Sequence, residues 1–184
     1  MQTSNCNPNP DREPILNLPP GTTALILTIV LIFVIAELLP DEWDQILQLN
    51  LGFVPGRYTF AGGSWQLLAS PVSHVFLHGS FTHLLVNLTM LAAFGSGVER
   101  VLGSRHLFTI FFLSAIAGAA VHFMFFSTSL SPVIGASGGI SGLFGTVLRL
   151  MSRTSTRKPS RIWIAAAAWI AISVLAGFIN IFPG

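Results

Sequence analysis

Long apolar runs separated by short polar links dominate this chain. Five of them, at 22–39, 81–98, 106–126, 133–151 and 162–182, are long enough for a helix to cross the roughly 30 Å hydrocarbon core of a bilayer. The pattern predicts an all-α, polytopic membrane helix bundle with five transmembrane helices. Residues 1–20 read as a polar tail rich in Asn and Pro, and 21–184 as one membrane domain, since the links are short. The tail lacks the basic start of a signal peptide and no small-residue cleavage site follows the first run, so the first helix is expected to be retained. The longest stretch outside the spans, 36–80, scatters Trp43, Phe53, Tyr58, Phe60 and Trp65 among Gly and Pro. Aromatic rings favour the membrane–water boundary, which predicts an amphipathic loop lying in the outer interface; an ordinary extracytoplasmic loop is the alternative.

Composition strengthens the membrane reading. The 184 residues are 52% hydrophobic and only 9% charged, with a mean hydropathy of +0.71, whereas soluble domains carry about 25% charge. A calculated pI near 9.3 raises the question of nucleic acid, but the basic residues are sorted by membrane side and not interleaved with aromatics. Arg100 and Arg105 fall between the second and third spans, and Arg149, Arg153, Arg157, Lys158 and Arg161 between the fourth and fifth. Those links are expected to be cytoplasmic, with the N-terminus inside. Glu37, Asp41, Glu42, Asp44 and Arg57 then go to the other side. The expected location is a multi-pass integral protein of a bacterial cytoplasmic (inner) membrane, with no nucleic-acid partner. Cys6 is the sole cysteine and can form no internal disulfide. No cluster of Cys or His suggests a metal, so neither metal nor cofactor is expected.

Chemistry is most plausible at 133–145, Val-Ile-Gly-Ala-Ser-Gly-Gly-Ile-Ser-Gly-Leu-Phe-Gly, where two hydroxyls stand among five glycines. Small residues leave the backbone uncovered and a serine reachable. Ser137, Ser141 and Gly145 recur every four residues, with Gly138 and Gly142 alongside, and such smooth faces accept a second helix at close range. Self-association through this fourth helix is therefore expected. The second helix is read as opening with His74 and His78, followed by His83 and Asn87. The last two are four apart and share one helical face near the outer end. Polar side chains inside a span need partners and often mark a functional cavity, although simple helix–helix bonding accounts for them equally well. His122, near the outer end of the third span, reads as a packing histidine, and Glu99 with Arg100 as local capping or pairing at the inner end. A hydroxyl and hydrogen-bond donors at one depth are the parts of an acyl-transfer site, nucleophile and oxyanion hole.

At these residues the chain resembles the rhomboid family of intramembrane serine proteases. His78-Gly-Ser-Phe-Thr-His83-Leu-Leu-Val-Asn87 is similar to the family's His and His-x-x-x-Asn pattern on its second helix. Gly97-Val-Glu99-Arg100-Val-Leu-Gly103 resembles the exit from that helix, and Gly135-Ala-Ser137-Gly138 the Gly-x-Ser-Gly nucleophile motif. Gly139-Ile-Ser141-Gly142 fits the motif as well, but Ser137 follows Gly-Ala at the start of the helix, whereas Ser141 lies a turn deeper and suits packing. The resemblance implies that Ser137 attacks the scissile carbonyl while the Ser137 amide, His83 and Asn87 hold the oxyanion. The family's general base, a histidine on a sixth helix, has no counterpart: no histidine follows His122 and no acid follows Glu99. On this reading 21–184 is a C-terminally incomplete rhomboid-like domain. The family's Trp-Arg pair in the first loop is Trp65-Gln66 here.

The implied function is a serine endopeptidase that cleaves transmembrane segments of single-pass proteins near the outer face, with such proteins and the lipid bilayer as partners. The alternative is a catalytically inactive, truncated relative that binds membrane clients. A small transporter or assembly protein is more remote, because apart from Glu37 at a helix end the spans contain no acidic residue.

Overall fold

The computed structural model describes residues 17–60, 64–154 and 159–178. The element order is α1 (Pro20–Glu37), α2 (Asp41–Leu51), α3 (Pro55–Phe60), α4 (Trp65–Ser73), a 3-10 turn (His74–Phe76), α5 (Phe81–Met90), a π turn (Leu91–Gly95), α6 (Ser96–Leu102), α7 (Ser104–Phe126), α8 (Ser137–Thr154) and α9 (Pro159–Phe178). It is the polytopic helical bundle that the apolar runs predict. Pro20–Glu37, Phe81–Leu102 and Ser104–Phe126 are long and apolar enough to cross a membrane by length and composition. The fourth and fifth expected spans are α8 and α9, of 18 and 20 residues, or about 27 and 30 Å at 1.5 Å per residue. Residues 179–182 of the fifth run, and nearly all of the N-terminal tail, lie outside the described residues.

The core is built from helical stripes. Leu25, Ile29 and Phe33 on α1 and Leu107, Phe111, Ala115 and Ala119 on α7 recur every four residues, and all are buried. Ile140 and Leu143 of α8 complete the same core. Large apolar side chains on the opposite faces, such as Leu27, Leu31, Leu113 and Val121, are exposed, as a lipid-facing surface requires.

One placement and one boundary differ from the sequence reading. The second span starts at Phe81, so His74 and His78 precede it instead of opening it: His74 sits in the 3-10 turn and His78 in the link that follows. Ser80 caps this helix, its hydroxyl accepting from the His83 amide at 3.2 Å, and a cap fixes where a helix begins. The fourth helix begins at Ser137, not at 133. Val133 is held in an antiparallel bridge with Phe53, Phe53 N to Val133 O at 3.0 Å and Val133 N to Phe53 O at 2.8 Å, and a residue bonded sideways cannot join the helical ladder.

The long segment between the first two spans folds into α2, α3 and α4. It exposes Trp43, Ile46, Phe60, Trp65 and Leu68, side chains that suit a membrane interface. Where the sequence departs from Trp-Arg, the Gln66 amide donates to Asn50 Oδ1 at 3.0 Å and ties α4 to α2. Gly56 N to Ser129 O at 2.7 Å and Thr59 Oγ1 to Ser127 O at 2.7 Å tie α3 to the link before α8.

The glycine-rich face of α8 is shared between two neighbours. A Cβ at Gly142 would come 1.8 Å from Ser114 Oγ, one at Gly139 2.5 Å from the Phe111 ring, and one at Gly138 3.3 Å from the Ala115 Cα. The Gly138–Gly142 row, read as open to another molecule, is therefore already occupied by α7 of the same chain. On the other row, Ser141 meets Trp169 of α9 at 3.1 Å, and a Cβ at Gly145 would meet nothing within 4 Å.

Candidate functional site

Three backbone devices build the end of the bundle at which α5 and α8 begin. Ser80 fixes the start of α5, and with it the register that turns His83 and Asn87 inward; both are buried. Asn87 Nδ2 donates to the His83 carbonyl at 3.0 Å, which uses one of its two amide hydrogens and leaves the other. Gly135 supplies the second device. Its φ of +117° lies where only glycine sits without strain, and a Cβ there would be 2.8 Å from both Cε1 and Nε2 of His83. The bare glycine thus admits the Nε2 edge of the imidazole against the backbone that leads to Ser137. Gly135 N donates to the His74 carbonyl at 2.9 Å, and His74 is anchored in turn through Nδ1 to the Ser70 carbonyl at 2.9 Å. The Phe53–Val133 bridge, the third device, holds the strand that enters this turn.

His83, Asn87 and Ser137 line one open cavity of about 320 Å3, with Trp169, Ile172 and Ser173 of α9 on its far side. Ser137 is the first residue of α8 and is exposed. Its hydroxyl makes no hydrogen bond among the described residues. Ser141 differs: its hydroxyl donates to the Ser137 carbonyl at 2.8 Å and accepts from Trp169 Nε1 at 3.1 Å. A hydroxyl used in both directions inside a helix contact is a packing group.

The other histidines are distributed around the site. His78 lies edge-on to His83, ring centroids 5.0 Å apart; burial, and then His83 beside it, lower its pKa to about 4. His74 is also lowered by burial. His122 packs on Phe126 of its own helix, centroids 4.8 Å apart, and is not among the residues lining the cavity.

A family-wide scan matches the Rhomboid domain over residues 63–182. The chain belongs to the rhomboid family. Among its relatives, YdcA of Bacillus subtilis (strain 168) is 32% identical over 141 residues, covering 74% of this chain and 63% of its own. Rhomboid protease GlpG of Klebsiella pneumoniae is 26% identical over 169 residues, covering 90% and 56%. RHOMBOID-like protein 5 of Arabidopsis thaliana is 31% identical over 99 residues, 54% and 31%. The chain thus spans between about a third and two thirds of the length of these relatives.

Sequence reasoning missed two parts of the site and one contact at the far end of the same span. The contribution of α9 had no signal beyond Trp169 and Ser173 being polar-tipped residues in an apolar run. The left-handed turn at Gly135 was signalled only by a glycine two residues before the serine. Glu99, read as a local cap, instead reaches across the chain. Its carboxylate accepts from Gly21 N at 2.7 Å, Thr22 N at 2.6 Å, Thr22 Oγ1 at 2.8 Å and Ser104 Oγ at 2.6 Å. The first turn of α1 has no side-chain cap of its own, and Glu99 supplies the acceptor that its amides need.

Proposed function

We propose that this rhomboid-family protein contributes a serine nucleophile and its oxyanion hole to intramembrane peptide hydrolysis near the outer face of the membrane. One observation carries the reading. Ser137, exposed and with a hydroxyl unengaged among the described residues, lines the same cavity as His83 and Asn87, while the hydroxyl of Ser141 is used twice. In the proposed reaction Ser137 Oγ attacks the scissile carbonyl. The Ser137 amide, His83 and the remaining Asn87 amide hydrogen then donate to the oxygen on which negative charge develops. The substrates would be transmembrane segments of single-pass proteins entering between the helices. The host would be an inner membrane with the basic links on the cytoplasmic side.

A serine needs a base to be nucleophilic near neutral pH. Among the described residues lining the cavity His83 is the sole titratable one, and it is assigned to the oxyanion. This favours a second reading for the 184 residues taken alone, a membrane-client binder that holds its substrate without cutting it. Self-association through α8 would be confined to the surface around Gly145, since α7 fills the Gly138–Gly142 row and Trp169 of α9 covers Ser141.

The test follows cleavage of a model transmembrane substrate in membranes, using the protein expressed from its uninterrupted reading frame. Ser137→Ala is expected to abolish cleavage and Ser141→Ala to spare it. Asn87→Ala is expected to lower kcat by about a hundredfold or more, since losing one oxyanion donor costs about 2.7 to 4 kcal/mol. Cleavage that survived Ser137→Ala, or a pure rise in KM for Asn87→Ala, would overturn the assignment. The 184-residue chain alone is expected to be inactive. Activity from it that vanished in His122→Ala would replace the binder reading with a rewired dyad.

A further inference from the structure

Arg149 and Arg153 stand four residues apart near the end of α8, so their side chains share one helix face, with Cβ atoms roughly 6 Å apart. Both are exposed. They border a second cavity of about 410 Å3, remote from Ser137 along α8, whose other walls include Leu102, Leu150, Thr146 and Gly145. Its size falls in the range of about 300 to 1,000 Å3 typical of small-ligand sites. At Gly145 an added Cβ would meet nothing within 4 Å, so the groove is open at the point where the helix carries no side chain.

Among the described residues the arginine pair has no anion of its own. The chain contains no acidic residue after Glu99, and the Glu99 carboxylate is already taken by α1 and Ser104. The hydrogen bond recorded for the Arg149 guanidinium is a long one, Nη1 to Ser152 Oγ at 3.5 Å. Arginines near a helix C-terminus also offset the helix dipole, but that role requires neither a cavity nor apolar walls. Here two arginines stand at the basic end of a membrane-spanning bundle and line the same groove as Leu102 and Leu150.

We propose that this cavity binds an anionic phospholipid from the leaflet on the basic side of the bundle. The guanidinium groups receive the phosphate through paired, charge-assisted hydrogen bonds. The groove between Leu102 and Leu150, floored by Gly145, receives the first part of an acyl chain. Basic pockets between membrane helices on this side are where anionic headgroups are held, and the apolar walls contribute only to a ligand that carries a chain. The inference rests on the bilayer-spanning fold and not on hydrolysis.

The protein purified in detergent would be examined by native mass spectrometry with phosphatidylglycerol and with phosphatidylcholine of the same chains. Phosphatidylglycerol is expected to be retained preferentially. Arg149→Gln and Arg153→Gln should each weaken its binding about fivefold, the equivalent of about 1 kcal/mol per basic residue at an anionic membrane surface. Gly145→Leu, which fills the groove without altering charge, should weaken it as well. Arg105→Gln, at the same end but outside the cavity, should not. In unaltered protein, phosphatidylglycerol should raise the melting temperature more than phosphatidylcholine, a reading that needs no variant to fold. Equal retention of the two lipids, an Arg105→Gln loss equal to that of Arg149→Gln, or full displacement by inorganic phosphate would each overturn the proposal. The last outcome would mark a site for a free anion.

Discussion

Two polar clusters occupy opposite ends of the same membrane-spanning segment, and they have opposite designs. At its C-terminal end Glu99 is buried and saturated, with four donors from α1 and Ser104 on its two oxygens. Gly21 approaches so closely that a Cβ would lie 2.8 Å from Glu99 Oε1. At its N-terminal end His83 and Asn87 face a cavity, and the hydroxyl they share it with is exposed and unengaged. Polar groups in a membrane are costly in either place. The first cluster recovers that cost as helix capping, whereas in the second, one Asn87 amide hydrogen and the Ser137 hydroxyl have no partner among the described residues, which is what a substrate could use. Completeness of hydrogen bonding, more than polarity, separates the structural cluster from the one proposed to react.

The strongest test of this contrast sets one substitution at each end. Glu99→Ala strips the acceptor from two buried amides and two hydroxyls, and should lower unfolding stability in detergent by about 3 kcal/mol or more. Ser137→Ala removes a group that bonds to nothing among the described residues and should stay within about 0.5 kcal/mol of the parent. Comparable losses would mean that the outer cluster is structural too.

Next in size is a pair of glycines. Gly135 and Gly103 both have positive φ, +117° and +84°, but a Cβ at Gly103 would meet nothing within 4 Å, whereas at Gly135 it would strike the His83 ring. Gly103→Ala should cost about 1 kcal/mol, backbone strain alone. Gly135→Ala should cost about 2 to 3 kcal/mol, because displacement of the imidazole adds to the strain. Equal costs would remove His83 packing as the reason for glycine at this position.

What the sequence made legible was whatever is periodic or local. The five apolar runs became α1, the α5–α6 segment, α7, α8 and α9, because burial stripes and span lengths are written in consecutive residues. His83 and Asn87 at a spacing of four, and the serine after Gly-Ala, converge on one cavity for the same reason. Contacts between residues distant in sequence were not legible. Glu99 caps a helix 77 and 78 residues earlier, Phe53 pins Val133, and Trp169 closes on Ser141. The helix boundary at Ser137 depended on the Phe53–Val133 bridge; the apolar run 133–151 does not mark it, and only the resemblance of Gly135-Ala-Ser137-Gly138 to the family motif set Ser137 at a helix start. The glycine face of α8 was recognised, but its occupant was not, because smoothness states that a helix fits without stating which one.

A pH titration sharpens the comparison further, through His78 beside the histidine–asparagine cluster. His78, outside the spanning segments, is lowered by burial and by His83 from 6.5 to about 4. Between these values the unfolded chain binds a proton that the native state refuses. Stability is therefore complete above about pH 6.5, falls as the pH drops, and levels off below about 4. At pH 5 the loss should be about 2 kcal/mol, and His78→Gln should remove most of that slope in detergent unfolding. A slope that persisted in His78→Gln would assign it elsewhere, with His74, also lowered by burial, the first to examine.

The smallest expected effect probes the border between the two designs. Trp169 stacks on Phe144 with centroids 4.6 Å apart and meets Phe94 edge-on at 5.6 Å, while its Nε1–H donates to Ser141 Oγ at 3.1 Å. Trp169→Phe keeps a ring in the stack and deletes the hydrogen bond, at a cost of about 1 kcal/mol. Ser141→Ala deletes the same bond from the other side and leaves an indole N–H in an apolar contact, so its cost should be similar or slightly larger. If the bond is what fixes α9 to α8, the double variant should cost about 1 kcal/mol less than the sum of the singles in a double-mutant cycle. Additive costs would show that ring packing alone holds α9. Ser141 would then lose its claim to a packing role, and with it one of the two grounds for assigning the chemistry to Ser137.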